Sequence, residues 1–148
     1  METVTAATWI DAPPEAVWAV LTDLARYPEW NPLFGQAAGN LAVGQRIRLR
    51  GRRPDGRRVT TRPRITAVTP DEELRWTGRP AGMPPGLLTG EHSFTLRPGN
   101  GGTLVLQRVA VRGFMVRFSG RRLDRAEEGW RALNGALKAR VEARVETS

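Results

Sequence analysis

The sequence predicts one α+β domain over residues 1–148, in which a bent antiparallel sheet of six or seven strands wraps around a long C-terminal helix. Three observations lead to this fold class. The length and the composition, 40% apolar and 26% charged, are typical of one globular domain. Short stretches of alternating apolar and polar residues, separated by turn signals, fill residues 33–112 and indicate strands. An apolar stripe at helical spacing follows, from about Arg121 to Glu146.

The N-terminal segment, residues 2–32, predicts one strand and two short helices. Residues 2–10 alternate weakly, as an opening strand does. Pro13 and Pro14 then allow a helix to begin, because proline is tolerated in a first helical turn. Apolar residues recur at helical spacing after them: Val17, Val20, Leu21 and Leu24. Residues 27–32, which contain two prolines and two aromatic residues, predict a compact turn or a one-turn helix.

The rest of the pattern predicts hairpins followed by the long helix. Residues 46–50 alternate arginine with apolar side chains, and Pro54-Asp55-Gly56 predicts a turn into a strand over residues 59–68. Further strands are predicted at residues 74–76, 92–96 and 103–112. The stripe of the final helix consists of Leu123, Trp130, Leu133, Leu137 and Val141. Gly129 and Gly135 each lower its intrinsic helix propensity by about 1 kcal/mol, so packing against the sheet must hold it.

The basic charge of the chain is carried almost entirely by arginine. The formal net charge is +8, and Lys138 is the one lysine among 23 basic residues. The arginine-biased codons of a GC-rich genome explain this better than nucleic-acid contact does. Nucleic-acid binding is not predicted, since the arginine-rich residues 46–64 lack interleaved aromatic side chains. Arg46, Arg48 and Arg50 share the outer face of one strand, which indicates either a solvated surface or a docking surface for an acidic protein.

Residue types exclude several kinds of site. The absence of cysteine excludes disulfides, thiolate metal sites and a cysteine nucleophile, and the single histidine, His92, leaves at most one imidazole for catalysis. No glycine-rich loop precedes a helix in the phosphate-binding manner, and no metal or nucleotide cofactor is predicted. There is no apolar run long enough for a membrane span and no charged-then-apolar leader at Met1, so we expect a soluble cytoplasmic protein.

The alternation of the strands predicts which side chains face the interior. His92 shares a face with Phe94, which needs burial, and Trp76 lies on the inner face of its own strand. Asn134 lies beside Trp130 on the inner stripe of the helix. A cavity between sheet and helix would therefore have a mostly apolar lining, which is typical of a small-molecule site. Its polar members from this pattern are His92, Asn134 and Thr61.

Short motifs spread over essentially the whole chain identify a superfamily. They are Ile10-Asp-Ala-Pro-Pro-Glu-Ala-Val-Trp18, Leu21-Thr-Asp23, Tyr27-Pro-Glu-Trp-Asn-Pro32, Leu74-Arg-Trp76, Gly90-Glu-His-Ser-Phe94, Gly102-Thr103 and Leu133-Asn-Gly-Ala-Leu-Lys138. Together they resemble the SRPBCC superfamily, the helix-grip fold of START-like lipid carriers, polyketide cyclases and relatives of the birch-pollen allergen. The resemblance implies an internal ligand cavity and places Gln107 and Val109 on the inner face of their strand. Many relatives carry an acidic residue at the position of Val109, so its absence argues against an internal carboxylate base.

Three functions stay open. The first is binding or carrying a hydrophobic small molecule, polyketide or lipid-like, which needs only the cavity. The second is a polyketide cyclase or dehydratase-like activity, in which His92 exchanges protons while Gln107 or Asn134 holds an oxygen. The third is a regulatory interaction protein without a ligand.

The sequence leaves two interpretations open for each of four candidate residues. His92 is either a packed core histidine or an acid/base, and Asn134 either ties the helix to the sheet or contacts a ligand. Tyr27 and Trp30, near the predicted mouth of the cavity, either pack the short helices or stack on a ligand. Some polyketide cyclases act on carrier-bound chains, so the resemblance also makes acyl carrier protein a candidate partner for the basic face.

Overall fold

The computed structural model describes residues 2–52, 56–79, 86–113 and 120–147, and within the last helix the side chains of residues 127–146. The chain begins with strand β1 (Glu2–Ile10), helix α1 (Pro14–Leu21) and a 3₁₀ helix (Leu24–Glu29). The strands that follow are β2 (Gln36–Ala38), β3 (Arg48–Arg52), β4 (Arg58–Thr61), β5 (Arg64–Thr69), β6 (Glu73–Gly78), β7 (Thr89–Gly99) and β8 (Gly102–Arg112). Helix α2 (Gly120–Thr147) comes last, so the predicted order of elements is confirmed. Pro54 and Asp55 of the predicted turn and the side chain of Leu123 lie outside the described residues.

The strands form two antiparallel sheets. One has five strands in the order β1-β8-β7-β6-β5, and the other has three in the order β2-β3-β4. A bridge between Arg46 and Arg64 links them. The described residues form eight strands instead of six or seven, because β2 is added and because Pro63, which has no N–H for a strand ladder, separates β4 from β5. The predicted class, an α+β fold with an antiparallel sheet around a C-terminal helix, is confirmed.

Helix α2 packs against β1, β8 and α1. Of its predicted inner residues, Leu133, Leu137 and Val141 are each at most 1% exposed. Trp130 differs from the prediction, because it is only half-buried and packs against the cluster of Val109 and Val111, apart from the main core. Within the described part of the chain, no helix combines the length and the apolar character needed to cross a membrane.

The end of β1 is tied to α2 by the one lysine of the sequence. Lys138 donates from Nζ to the carbonyl of Trp9 over 2.9 Å and pairs with Glu142 over 2.6 Å. The same Glu142 carboxylate accepts a hydrogen bond from the backbone N–H of Asp11 at 2.9 Å. These contacts fix the helix against the sheet, and Asn134 lies one helical turn before Lys138 on the inner side.

Candidate functional site

Five ring-bearing side chains meet at the inner face of the five-stranded sheet, with His92 at the centre. The His92 ring stacks on Phe94 with 4.8 Å between centroids and meets the edge of Trp76 at 5.0 Å. Phe34 lies 6.2 Å from His92 and Trp130 lies 6.4 Å from it. We call these five residues the His92 cluster.

The pairing of β6 with β7 builds most of this cluster. Trp76 on β6 is the register partner of His92 on β7, and Phe94 follows His92 by two residues on β7. All three side chains therefore point to one face of the sheet. Phe34, in contrast, lies in the loop that precedes β2. The Oδ1 atom of Asn31 accepts hydrogen bonds from the backbone N–H groups of Leu33 and Phe34, at 2.9 and 2.8 Å, which turns the loop inward.

A chain of hydrogen bonds runs from His92 through the interior to β1. Nε2 of His92 lies 2.9 Å from Oε1 of Gln107. Nε2 of Gln107 donates to the carbonyl of Trp130 at 2.8 Å and to Oδ1 of Asn134 at 2.7 Å, and Nδ2 of Asn134 donates to the carbonyl of Ala6 at 3.1 Å. Because a backbone carbonyl can only accept, the amide nitrogen of Gln107 must face the helix and its oxygen must face His92. The proton of the neutral imidazole is therefore on Nε2, and Nδ1 carries the free lone pair.

Burial determines the charge of His92. The residue is 7% exposed, and this burial lowers its pKa to about 4, while the hydrogen bond with Gln107 acts in the opposite direction. In the described residues no carboxylate bonds to the ring, and Glu127 of α2 pairs with Arg131 at 2.6 Å instead. At pH 7 the imidazolium form is populated at about one part in a thousand. The ring is thus a neutral hydrogen-bonding group and not a charged acid.

Two apolar clusters meet at this polar chain. Val109 and Val111 form a small cluster, separate from the main core, with Leu88 and Trp130 packed against it. Val109 is the register partner of His92, and Trp130 contacts both the small cluster and the His92 ring. The hydrogen-bonding side chains of His92 and Gln107 therefore lie among apolar residues of both clusters, a combination of residue types that is typical of a small-molecule site.

Three of the residues predicted to contact a ligand lie elsewhere. Tyr27 is buried with its hydroxyl donating to the carbonyl of Leu21 over 2.5 Å, and its ring meets Trp30 edge-on at 5.2 Å. This burial raises the pKa of Tyr27, so it stays protonated. In the described residues no ring contact joins Tyr27 or Trp30 to the His92 cluster, because the hydroxyl anchors the 3₁₀ helix to α1. Thr61 is half-buried in the three-stranded sheet, opposite Leu49.

The other predicted residues are brought together: Trp76, His92, Phe94, Gln107, Val109, Trp130 and Asn134. Sequence reasoning did not identify Phe34, because a loop aromatic belongs to no periodic pattern. Its neighbour Asn31, an Asx residue between two prolines, is the signal that could have indicated an ordered loop. Over the described ranges no three His, Asp or Glu side chains are grouped closely enough to hold a metal ion.

The predicted basic face alternates as expected. Ile47 and Leu49 are buried while Arg46 and Arg48 are exposed, and Nη1 of Arg46 donates to a backbone carbonyl at 2.9 Å. Arg50 differs from its neighbours, because it is half-buried.

A two-sheet α+β domain that encloses a long helix, with a neutral histidine among apolar walls, has the helix-grip architecture of START-like proteins. A family model described as "Polyketide cyclase / dehydrase and lipid transport" matches residues 1–146, so the chain belongs to that family and to the SRPBCC superfamily that its motifs resemble. No curated protein sequence matches the chain.

Solved structures share the fold over nearly the whole chain. Protein MLL2253 from Mesorhizobium loti is 26% identical, with a TM-score of 0.73 and coverage of 97% of this chain and 98% of that one. Ara h 8.0201 is 15% identical, with a TM-score of 0.74 and coverage of 96% and 98%. The di-domain ARO/CYC protein BexL is 18% identical, with a TM-score of 0.76, and 95% of this chain covers 50% of that one. At these identities the last two show the fold alone.

Proposed function

We propose that this protein binds a hydrophobic small molecule between the inner face of the five-stranded sheet and α2, beside the His92 cluster. The observation that carries the proposal is the meeting of two apolar clusters at a polar chain of fixed orientation, His92 to Gln107 to Asn134. The family to which the chain belongs, described by polyketide chemistry and lipid transport, supports a hydrophobic ligand.

The hydrogen-bond chain restricts what the ligand can be. Both amide hydrogens of Gln107 are used within the protein, and its oxygen accepts from His92. Nδ1 of His92 is left as the acceptor that can meet a ligand hydroxyl. The apolar rings around it favour burial of a hydrophobic body, at roughly 25 cal/mol per Å². The ligand would therefore be an apolar or aromatic molecule with one hydroxyl donor directed at His92.

Binding is favoured over acid–base catalysis by the pKa of His92. A catalytic acid or base works best when its pKa is near the operating pH, whereas burial holds the pKa of His92 at about 4. The ring is then too weakly basic to abstract protons efficiently at pH 7 and too rarely protonated to donate them. The neutral ring therefore favours the role of a hydrogen bond acceptor over that of an acid or base.

A cyclase function is the second candidate, because the family description includes cyclases and dehydrases and BexL is named as an ARO/CYC protein. In that function Nδ1 of His92 takes a proton from a bound polyketone while Gln107 holds Nε2. An acyl carrier protein would deliver the chain through the basic face of Arg46, Arg48 and Arg50. Turnover of a polyketone by the wild type and by His92→Gln separates the two functions, since equal turnover removes the catalytic role.

Titration of 2-naphthol, an uncharged aromatic with one hydroxyl, tests the binding function through tryptophan fluorescence. Trp130→Ala should raise the Kd about tenfold or more, because the half-buried ring packs against Val109 and Val111 and lies 6.4 Å from the His92 ring. Trp9→Ala is the matched control, since Trp9 is 41% exposed on the outer face, and its Kd should change less than about twofold. Leu88→Ala repeats the test if Trp130→Ala has lost its thermal unfolding transition. Equal losses of affinity in Trp9→Ala and Trp130→Ala, or no saturable binding by the wild type, would contradict the proposal. The hypothesis that remains would then be a regulatory interaction protein that binds no ligand.

A further inference from the structure

Three arginines line an open cleft of about 360 Å³ on the three-stranded sheet, away from the His92 cluster. They are Arg50 and Arg52 on β3 and Arg58 on β4, and the cleft is also lined by residues of the segment 32–36, which leads into β2. Arg50 and Arg52 are two residues apart on one strand, and Arg58 is the register partner of Arg52, so all three lie on one face.

Within the described residues, this arrangement leaves positive charge without compensation. Like charges directly opposite each other in an antiparallel pair are destabilising, and Arg52 and Arg58 occupy such a pair. Among the ion pairs of the described residues, none joins a carboxylate to Arg50, Arg52 or Arg58. An anion in the cleft would relieve this repulsion.

Arg50 is held in place beside the cleft. Its Nε atom is buried and makes no hydrogen bond within the described residues, and a buried donor without a partner costs desolvation free energy. The chain at Leu33 approaches β3 next to Arg50, because Gly51 has no side chain: a Cβ at Gly51 would lie 2.3 Å from the carbonyl oxygen of Leu33. Packing thus fixes one side of the open cleft.

We propose that this cleft is a binding site for a phosphate group, either free or at the end of a larger molecule. The planar guanidinium groups bind oxyanions through paired N–H donors, and three of them match the several oxygens and the double charge of a phosphate better than they match one carboxylate. Arg46 and Arg48 carry the same charge nearby but do not line the cleft. The site does not depend on a ligand at the His92 cluster.

Titration with inorganic phosphate at constant ionic strength, followed by amide chemical shifts, tests the proposal. We expect saturable binding with shifts confined to the cleft, a Kd of order millimolar, and about a tenfold higher Kd in Arg50→Gln. Arg48→Gln removes the same charge from the same strand outside the cleft and should change the Kd less than about twofold. Arg50→Lys keeps the charge but loses the paired donors, and its Kd should also rise. Equal effects of Arg48→Gln and Arg50→Gln, or shifts spread over all exposed arginines, would overturn the site.

The source of the phosphate is distinguished by three further probes. Phosphopantetheine binding that needs Arg50 supports the site and identifies a phosphate at the end of a soluble chain. Arg50-dependent binding to phosphatidylcholine vesicles containing phosphatidic acid, with none to phosphatidylcholine alone, supports it and identifies a lipid headgroup. Acetate binding as tight as phosphate binding, at equal ionic strength, would contradict the phosphate class. Because none of these probes depends on binding at the His92 cluster, their failure would leave the proposed ligand-binding function untouched.

Discussion

The amide oxygen of Gln107 lies 2.9 Å from Nε2 of His92, while the amide nitrogen of the same residue donates to the carbonyl of Trp130 and to Asn134. One side chain of β8 therefore joins the sheet to the helix and fixes the tautomer of the single histidine. Because that tautomer leaves Nδ1 as an acceptor, the structural role of Gln107 and the ligand-binding role of His92 depend on each other.

Acid should destabilise the protein through His92. Its pKa is about 4 in the folded state and 6.5 in the unfolded chain, so the unfolded state takes up the proton first as the pH falls below 6.5. The stability that depends on neutral His92 is complete above pH 6.5 and is lost progressively down to pH 4, by about 3 kcal/mol in all.

Urea unfolding of the wild type and of His92→Gln between pH 7 and pH 3.5 measures this loss. The free energy of the wild type should fall relative to the variant, which has no imidazole. Glu29 and Glu142, whose pKa values are lowered by hydrogen bonds from Arg140 and Lys138, lose stabilisation in both proteins below about pH 4.5, so the comparison cancels them. A constant difference across this pH range would show that His92 titrates normally.

Removing the amide of Gln107 should lower the free energy of unfolding by more than the small change in side-chain volume suggests. Gln107→Leu introduces an apolar side chain of similar size but leaves the Nε2–H of His92, the carbonyl of Trp130 and Oδ1 of Asn134 each without this partner. We expect a loss of about 2 kcal/mol or more in the free energy of unfolding, measured by urea denaturation. Arg108→Leu, an exposed neighbour on the outer face, should change it by less than about 0.5 kcal/mol. Similar values for both variants would mean that the hydrogen-bond chain contributes little.

Two glycine substitutions should change the free energy of unfolding in opposite directions. Gly51→Ala places a Cβ 2.3 Å from the carbonyl oxygen of Leu33, so the loop must move, and we expect a loss of about 1–3 kcal/mol. Gly135→Ala meets no atom within 4 Å and lies in the exposed side of α2, so it should add up to about 1 kcal/mol. Thermal unfolding of both variants shows whether each substitution lowers or raises stability. A neutral Gly51→Ala would show that the loop is not held against β3 as described.

The sequence pattern predicts the parts of the site that repeat with the period of a strand or a helix. Alternation put His92 beside Phe94, and the helical stripe placed Asn134 next to Trp130, because these positions follow from local geometry. The resemblance to relatives placed Gln107 inward. The contact of Phe34 with His92 depends on where the loop of residues 32–35 docks, and a loop has no period from which its contacts can be predicted.

The contacts of Tyr27 also could not be predicted from the sequence pattern. An aromatic residue beside a proline is compatible with stacking on a ligand and with packing a helix, and the hydroxyl bond of Tyr27 to the carbonyl of Leu21 is a contact that the pattern does not predict. Trp130 was predicted buried because its helical position is apolar, yet the structure shows it half-buried and packed against the small cluster of Val109 and Val111.

The most direct test of the account is the binding of 2-naphthol and of naphthalene to the wild type and to His92→Phe. The substitution keeps an aromatic ring next to Phe94 and removes the acceptor Nδ1. We predict that it weakens 2-naphthol binding about tenfold, the value of one hydrogen bond, and leaves naphthalene binding unchanged within about twofold. Equal changes in the Kd of both ligands, or no saturable binding of either to the wild type, would contradict a hydrophobic ligand site in which His92 accepts a hydrogen bond.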